Sequence, residues 1–124
     1  MRQLDYQDRV LKAVDGYLEK LKAEKVKADQ IAKLAAENPD LDLPFKDFPA
    51  EAWKAYRVAT PPPKSRANVP YSPRHDGCGR PVPNVTLKVP TGGGKTWLAV
   101  NAVSRIMGRY LSTNHGFVLW IVPN

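Results

Sequence analysis

The sequence predicts an α/β fold in three consecutive parts: a long N-terminal helix over residues 1–38, a proline-rich insertion over residues 39–84, and a strand–loop–helix–strand unit over residues 85–124. Three observations predict this division. Apolar residues recur at three- and four-residue steps in the first part, and ten of the twelve prolines lie in the second. In the third part, two short apolar runs flank a glycine-rich loop and an amphipathic stretch, which is typical of a parallel crossover element.

The first part is predicted to be a long amphipathic helix from Leu4 to about Glu37, either continuous or broken near Glu24, with lysine and glutamate filling the positions outside its apolar face. Asn38-Pro39 ends it, because the residue before a proline avoids helical geometry. The apolar face consists of Leu11, Val14, Leu18, Leu21, Ile31, Leu34 and Ala35.

The second part contains one shorter predicted helix, from Pro49 to about Arg57, with Pro49 suited to its first turn. Trp53 and Tyr56 share one face of this helix, and such a pair usually packs in a core. Residues 60–84 hold too much proline and glycine for regular structure and are predicted to form a long loop.

The third part is predicted to begin with a strand at residues 85–89 and to continue through the turn PTGGG into a helix over residues 95–111. Asn114 and Gly116 stop that helix. The run FVLWIV, residues 117–122, then has the composition of a strand that is buried on both faces.

Composition and charge narrow the classes of protein. A content of 43% hydrophobic and 25% charged residues excludes a collagen-like repeat, a coiled-coil rod and a disordered tail. Residues 1–60 carry eleven basic and eleven acidic side chains, whereas residues 61–124 carry eight basic side chains and one acid, Asp76. The whole net charge of +7 therefore lies in the second half, which favours a polyanionic partner such as nucleotide phosphate or nucleic acid.

The sequence also predicts a cytoplasmic protein without a membrane partner. Its single cysteine, Cys78, cannot form an internal disulfide, and no apolar stretch follows a basic start as in a secretory signal. The longest apolar run, residues 117–122, is too short to span a bilayer.

The strongest chemical signal is VPTGGGKT at residues 89–96. Consecutive glycines let backbone N–H groups point into one hollow at the start of a helix, where an anion binds. A lysine after the glycines neutralises the β- and γ-phosphates of ATP, and a threonine hydroxyl ligates the accompanying magnesium ion. Valine stands at position 89 where the strict P-loop pattern has glycine. The predicted ATP-binding residues here are Thr91, Gly92, Gly93, Gly94, Lys95 and Thr96, with Thr96 also binding magnesium.

These residues resemble a family. The form x-P-T-G-x-G-K-T is similar to motif I of superfamily 2 helicases and translocases. LKVPTGGGKT, followed one helix later by WIVPN, most resembles the restriction (Res) subunits of type III restriction–modification enzymes and their DEAD/DEAH-box helicase relatives. The opening LDYQDRVLKAV is similar to the family's L-x-x-Y-Q-x-x-A/V-x-x-L. The resemblance covers residues 2–18 and 85–124.

The resemblance implies an incomplete RecA-like P-loop NTPase domain. It implies that Gln7 reads adenine, that Lys95 and Thr96 act at the reacting phosphates, and that Pro123 and Asn124 contact the nucleic-acid backbone. It further implies ATP and magnesium as cofactors, double-stranded DNA as partner and a methyltransferase subunit as a possible second partner. In the full-length protein, ATP hydrolysis would drive movement along DNA.

The acidic D-E-x-H/D box of that family is missing, since Asp76 is the only acid after residue 51. We therefore expect the N-terminal fragment of a larger motor, with negligible ATPase activity on its own. The basic loop before the glycines offers Arg66, Arg74 and Arg80 as DNA contacts, and a solvated linker explains them equally well.

Two other functions stay open at this point. A small P-loop kinase also uses a strand–loop–helix unit, although such kinases usually carry the first glycine of the motif. A non-enzymatic interaction module would use the helical front as its binding surface, with the glycine loop as an incidental anion site.

Overall fold

The computed structural model describes residues 4–90 and 92–122, and its regular structure within them is helical. α1 and α2 occupy the first half of the chain and α3 follows the glycine loop. α3 continues directly into a six-residue π-helix, and a short 3₁₀ turn lies in the proline-rich insertion. The bounds are α1 Asp5–Glu37, α2 Phe48–Ala59, the 3₁₀ turn Lys64–Arg66, α3 Lys95–Arg105 and the π-helix Ile106–Leu111.

The helices agree with the predicted ranges because their ends are encoded locally. At the start of α1 the Gln7 side-chain Oε1 accepts a hydrogen bond from the Leu4 N–H at 3.0 Å, and Asn38 ends the helix before Pro39. At α2 the carboxylate of Asp47 accepts from the Ala50 N–H at 3.1 Å. One backbone donor at the start of α1 and one at the start of α2 are thus satisfied by nearby side chains.

The core lies between the first half of α1, α2 and the π-helix. The ring of Tyr17 meets Trp53 and Tyr56 edge-on, with centroids 6.2 Å and 6.1 Å apart. The prediction that these two α2 aromatics are core contacts is confirmed, since both pack against the buried cluster. That cluster consists of Val14, Tyr17, Leu18, Leu21, Phe48 and Ala52.

Charged contacts attach α3 and the π-helix to α1. The Nε atoms of Arg105 and Arg109 lie 3.0 Å and 3.2 Å from Oδ1 of Asp15. Lys22 Nζ donates to Ser112 Oγ at 2.8 Å, at the end of the π-helix. Arg80 also pairs within the chain, with Asp76, so three of the eight basic side chains in residues 61–124 are paired, which lowers the positive charge left for a partner.

The predicted α/β fold is wrong for the described residues. Residues 85–89 and 117–122, both predicted to be strands, are irregular, and the described residues form one isolated bridge, between His75 and Pro81, instead of a sheet. The strand–loop–helix–strand unit is reduced to a loop and a helix. The incomplete RecA-like domain implied by the resemblance is likewise absent from the described residues.

The failure of the two strands has a simple physical reason. A strand is stabilised by a neighbour that accepts and donates its backbone hydrogen bonds, and within the described residues neither run pairs with another segment in a ladder of that kind. Phe117 is 91% exposed and Ile121 is 81% exposed, so their apolar side chains have not found a core. Apolar composition indicates a tendency towards burial, but it does not provide the partner strand.

The second half of α1 is also less buried than its pattern predicts. Leu34 is 51% exposed, and Ile31 and Ala35 are only half-buried, because α2 and the π-helix cover the first half of α1.

In the described part of the chain, none of the helices has the length and apolar character needed to cross a bilayer.

Candidate functional site

The glycine loop sits directly at the N-terminus of α3. Gly92 and Gly94 have φ values of 77° and 71°, in the left-handed region that glycine adopts without steric cost. The Gly93 N–H donates to the Pro90 carbonyl at 3.0 Å and closes a turn, and the Gly94 carbonyl accepts from the Leu98 N–H at 2.9 Å. The predicted loop and following helix are therefore present without the preceding strand.

The start of α1 holds this loop through a pair of side chains. The Gly93 carbonyl accepts hydrogen bonds from the Tyr6 hydroxyl and, at 3.2 Å, from Gln7 Nε2. These donors lie 87 and 86 residues upstream of Gly93. Gln7 is only 2% exposed, and its Oε1 is occupied by the Leu4 N–H. We call this pair the Tyr6–Gln7 anchor.

Close packing leaves no room for a side chain at Gly93 or Gly94. A Cβ on Gly93 would lie 2.7 Å from Val89 Cγ1 and 2.9 Å from both the Pro90 carbonyl oxygen and the Tyr6 hydroxyl. A Cβ on Gly94 would lie 2.6 Å from Gln7 Nε2. Close packing against α1 therefore requires glycine at both positions, in addition to the left-handed φ of Gly94.

The Tyr6–Gln7 anchor also determines the direction in which the Gly94 N–H points. In a planar trans peptide the N–H points opposite to the carbonyl, so the Gly94 N–H is directed away from Tyr6 and Gln7. Neither this N–H nor those of Lys95 and Thr96 has an acceptor among the described residues. The side chains of Lys95 and Thr96 are exposed and form no hydrogen bond or ion pair with the described residues. Free N–H groups, the positive end of a helix dipole and an ammonium group together suit a phosphate.

The same residues offer little to a bare metal ion. Within the described ranges, no group of three or more His, Cys, Asp or Glu side chains could hold one. The one predicted magnesium ligand is the Thr96 hydroxyl. The residues therefore fit a phosphate group better than a bare metal ion.

The predicted nucleotide residues converge only in part. Gln7 lies against the glycine loop, but both ends of its amide are already engaged by the protein. No role was predicted for Tyr6, although its position next to Gln7 in the sequence was a signal that could have indicated one. Thr91, together with Pro123 and Asn124, lies outside the described residues.

The three predicted DNA-binding arginines do not form one site. Arg66 lines a groove beside α2, and Arg80 lines another next to the second half of α1. The Arg74 backbone carbonyl accepts from the Val82 N–H. Arg80 Nε lies 2.8 Å from Asp76 Oδ2. The backbone N–H groups of Arg80 and Cys78 bind the same carboxylate and hold the pKa of Asp76 below its usual value.

No known protein family, curated protein or solved structure matches this chain. The fold and the site define a helical protein with a glycine loop anchored at the start of a helix. The resemblance to superfamily 2 helicases depends on short motifs alone.

Proposed function

We propose that the chain binds the phosphates of ATP at residues 92–96. The Gly94 N–H and the first N–H groups of α3 donate to phosphate oxygens. Lys95 neutralises the β- and γ-phosphates, and Thr96 contributes a hydroxyl to the magnesium ion that arrives with the nucleotide. The observation that carries the proposal is the Tyr6–Gln7 anchor. It brings the two sequence motifs of the predicted nucleotide site into hydrogen-bond contact from opposite ends of the chain.

The motif resemblance supports an extension of this proposal. The chain would be the ATP-binding N-terminal part of an ATP-dependent DNA helicase or translocase, of the type III restriction-subunit kind, in the cytoplasm. Its partners would be double-stranded DNA and a methyltransferase subunit. A RecA-like sheet in the described residues is not part of the proposal. Because the sequence lacks the acidic box that orients the attacking water, we expect this chain to bind ATP without hydrolysing it.

Removal of the Lys95 ammonium tests phosphate binding. We expect the Lys95→Ala variant to bind both ATP and inorganic tripolyphosphate at least about tenfold more weakly, because a charge-assisted contact contributes roughly 1.5–3 kcal/mol. Isothermal titration calorimetry measures both affinities. Lys88→Ala is the matched control, since Lys88 is also exposed and lies outside the loop. Equal losses in the two variants, or no loss in either, would contradict the proposal.

Gln7 has two candidate roles, reading adenine and holding the loop. Because its amide is already engaged on both sides, we expect Gln7→Ala to weaken ATP and tripolyphosphate by the same factor, about three- to tenfold. Gln30→Ala, on the exposed surface of α1, is the control and is expected to leave both affinities unchanged. A loss confined to ATP would instead assign Gln7 to adenine.

A non-enzymatic interaction module is the second candidate function. It is favoured by the exposed apolar run at residues 117–122 and by a helical architecture that needs no sheet. The P-loop kinase alternative is disfavoured by Val89, because such kinases usually carry glycine at that position. Unchanged ATP and tripolyphosphate binding in Lys95→Ala would favour the module.

A further inference from the structure

A concave surface lies beside α2 and is lined in part by Trp53 and Tyr56, the two aromatic residues that also pack against the buried core. It encloses about 480 Å³, which is within the usual range for small-ligand sites. We call it the α2 groove. Its wall consists mainly of aromatic rings and prolines, namely Trp53, Tyr56, Tyr71 and Pro61 to Pro63, with Arg57, Arg66, Asn84 and Thr86 among its polar members.

The rings of the groove lie tilted against one another. The Trp53 ring lies 6.1 Å from Tyr56 and 6.3 Å from Tyr71, with interplanar angles of 32° and 37°. Trp53 and Tyr71 are each partly exposed, so neither is enclosed by the fold. The Asn84 amide donates to the Tyr71 hydroxyl at 3.1 Å and to the Ser72 carbonyl at 3.2 Å, which positions the outer ring. Partly exposed, tilted rings offer a surface on which another flat ring can pack.

Arg57 makes this platform rigid. Its guanidinium lies 5.6 Å from the Trp53 centroid. Its N–H groups donate to three backbone carbonyls of the 66–69 segment at 2.7, 2.7 and 2.9 Å. The loop that carries Arg66 is therefore tied to α2. A site whose parts are already in place loses little conformational entropy when it binds.

The charge of the groove has one sign. Among the described residues, two arginines line it and no acid does. Arg57 is occupied by the carbonyls that it holds, whereas the Arg66 guanidinium is exposed and forms no contact with the described residues. A cationic rim around aromatic rings matches a ligand that combines flat rings with negative charge.

We infer that the α2 groove binds single-stranded nucleic acid, with an unpaired base stacked on the rings of Trp53 and Tyr71 and a backbone phosphate beside Arg66. Stacking on exposed rings requires a base that is not enclosed in a duplex, so the preferred ligand is a single strand. A proline-rich peptide would also use aromatic rings, but it gains nothing from a rim that is cationic and free of acids. Nucleic-acid binding in the α2 groove does not require ATP binding at residues 92–96.

Fluorescence anisotropy of a labelled (dT)₁₂ oligonucleotide tests the site. We expect Tyr71→Leu to weaken binding between about fivefold and a hundredfold, because a stacked base contributes roughly 1–3 kcal/mol. Tyr71→Phe keeps the ring and is expected to bind within about twofold of the unmodified chain. Arg66→Gln is expected to reduce the slope of log K against log [salt] by about 0.7, the value for one lost contact to a single strand.

Three controls make the outcome decisive. Lys33→Gln removes the same charge from the far end of α1 and is expected to change the oligonucleotide affinity less than Arg66→Gln. Thr86→Glu places a negative charge at an exposed position of the groove, where the fold tolerates it, and is expected to weaken binding even if Tyr71→Leu unfolds. Lys95→Ala is expected to bind (dT)₁₂ normally, which separates this site from the ATP proposal.

The inference is overturned if folded Tyr71→Leu, confirmed by circular dichroism, binds (dT)₁₂ as tightly as the unmodified chain. It is also overturned if Thr86→Glu has no effect, if Lys33→Gln loses as much as Arg66→Gln, or if no binding is detected. A duplex or a proline-rich peptide that binds the groove more tightly than (dT)₁₂ would identify a different class of ligand.

Discussion

The Gly93→Ala variant is expected to lose at least about tenfold in tripolyphosphate affinity, a change that corresponds to roughly 1.4 kcal/mol. The added methyl would lie 2.9 Å from a backbone oxygen, that of Pro90, which cannot move aside as a flexible side chain can. It would also meet Val89 and the Tyr6 hydroxyl. The loop must therefore shift away from α1, and the Gly94 N–H loses the direction that the anchor provides.

Gly108→Ala is the matched control for this variant. A Cβ on Gly108 meets nothing within 4 Å, and its backbone has no positive φ, so the same substitution is sterically free there. We expect Gly108→Ala to leave the affinity unchanged and to leave the stability unchanged or raise it by up to about 1 kcal/mol. If Gly93→Ala binds tripolyphosphate as tightly as Gly108→Ala, the anchored loop is not the phosphate site.

The Leu21→Ala variant is expected to lower the free energy of unfolding by about 2–5 kcal/mol. Leu21 is 2% exposed and belongs to the cluster that joins α1 to α2. Its truncation removes buried methyl groups and leaves a cavity that the rigid helices fill only in part. In a chain of this size such a loss is a large share of the total stability, so we expect a clearly lower urea midpoint by circular dichroism at 222 nm.

Leu34→Ala provides the comparison within the same helix. Leu34 is 51% exposed, so its truncation removes little buried surface, and alanine favours the helix slightly more than leucine. We expect a change in unfolding free energy below about 0.5 kcal/mol. Equal losses in the two variants would mean that the α1–α2 core does not determine stability.

The helices could be predicted because their signals lie within a few residues of one another. Contacts inside each segment encode α1 and α2: apolar residues recur every three to four positions, Asp47 caps α2, and a proline follows Asn38 at the end of α1. The burial along α1 could not be predicted to the same degree. Leu21 and Leu34 occupy the same kind of position in the pattern, and only the placement of α2 and the π-helix decides which of them is buried.

The candidate site, too, could be predicted from the sequence only in part. The glycines, Lys95 and Thr96 could be recognised from the sequence, because a phosphate loop is built from consecutive residues at the start of one helix. The family resemblance implied that Gln7 reads adenine, whereas its hydrogen bond to the Gly93 carbonyl was not predicted. The reason for glycine at position 93 was missed, since it depends on Tyr6, 87 residues away.

By itself, then, the sequence determined the helices, the glycine loop at the start of α3, and the concentration of positive charge in the second half. The tertiary structure decided that residues 85–89 and 117–122 form no sheet, that Asp15 pairs with Arg105 and Arg109, and that Gln7 is buried against Gly93. The physical reason is the range of the interactions. A helix satisfies its hydrogen bonds within four residues, whereas a strand, an ion pair between helices or a buried amide needs a partner that only the folded chain brings close.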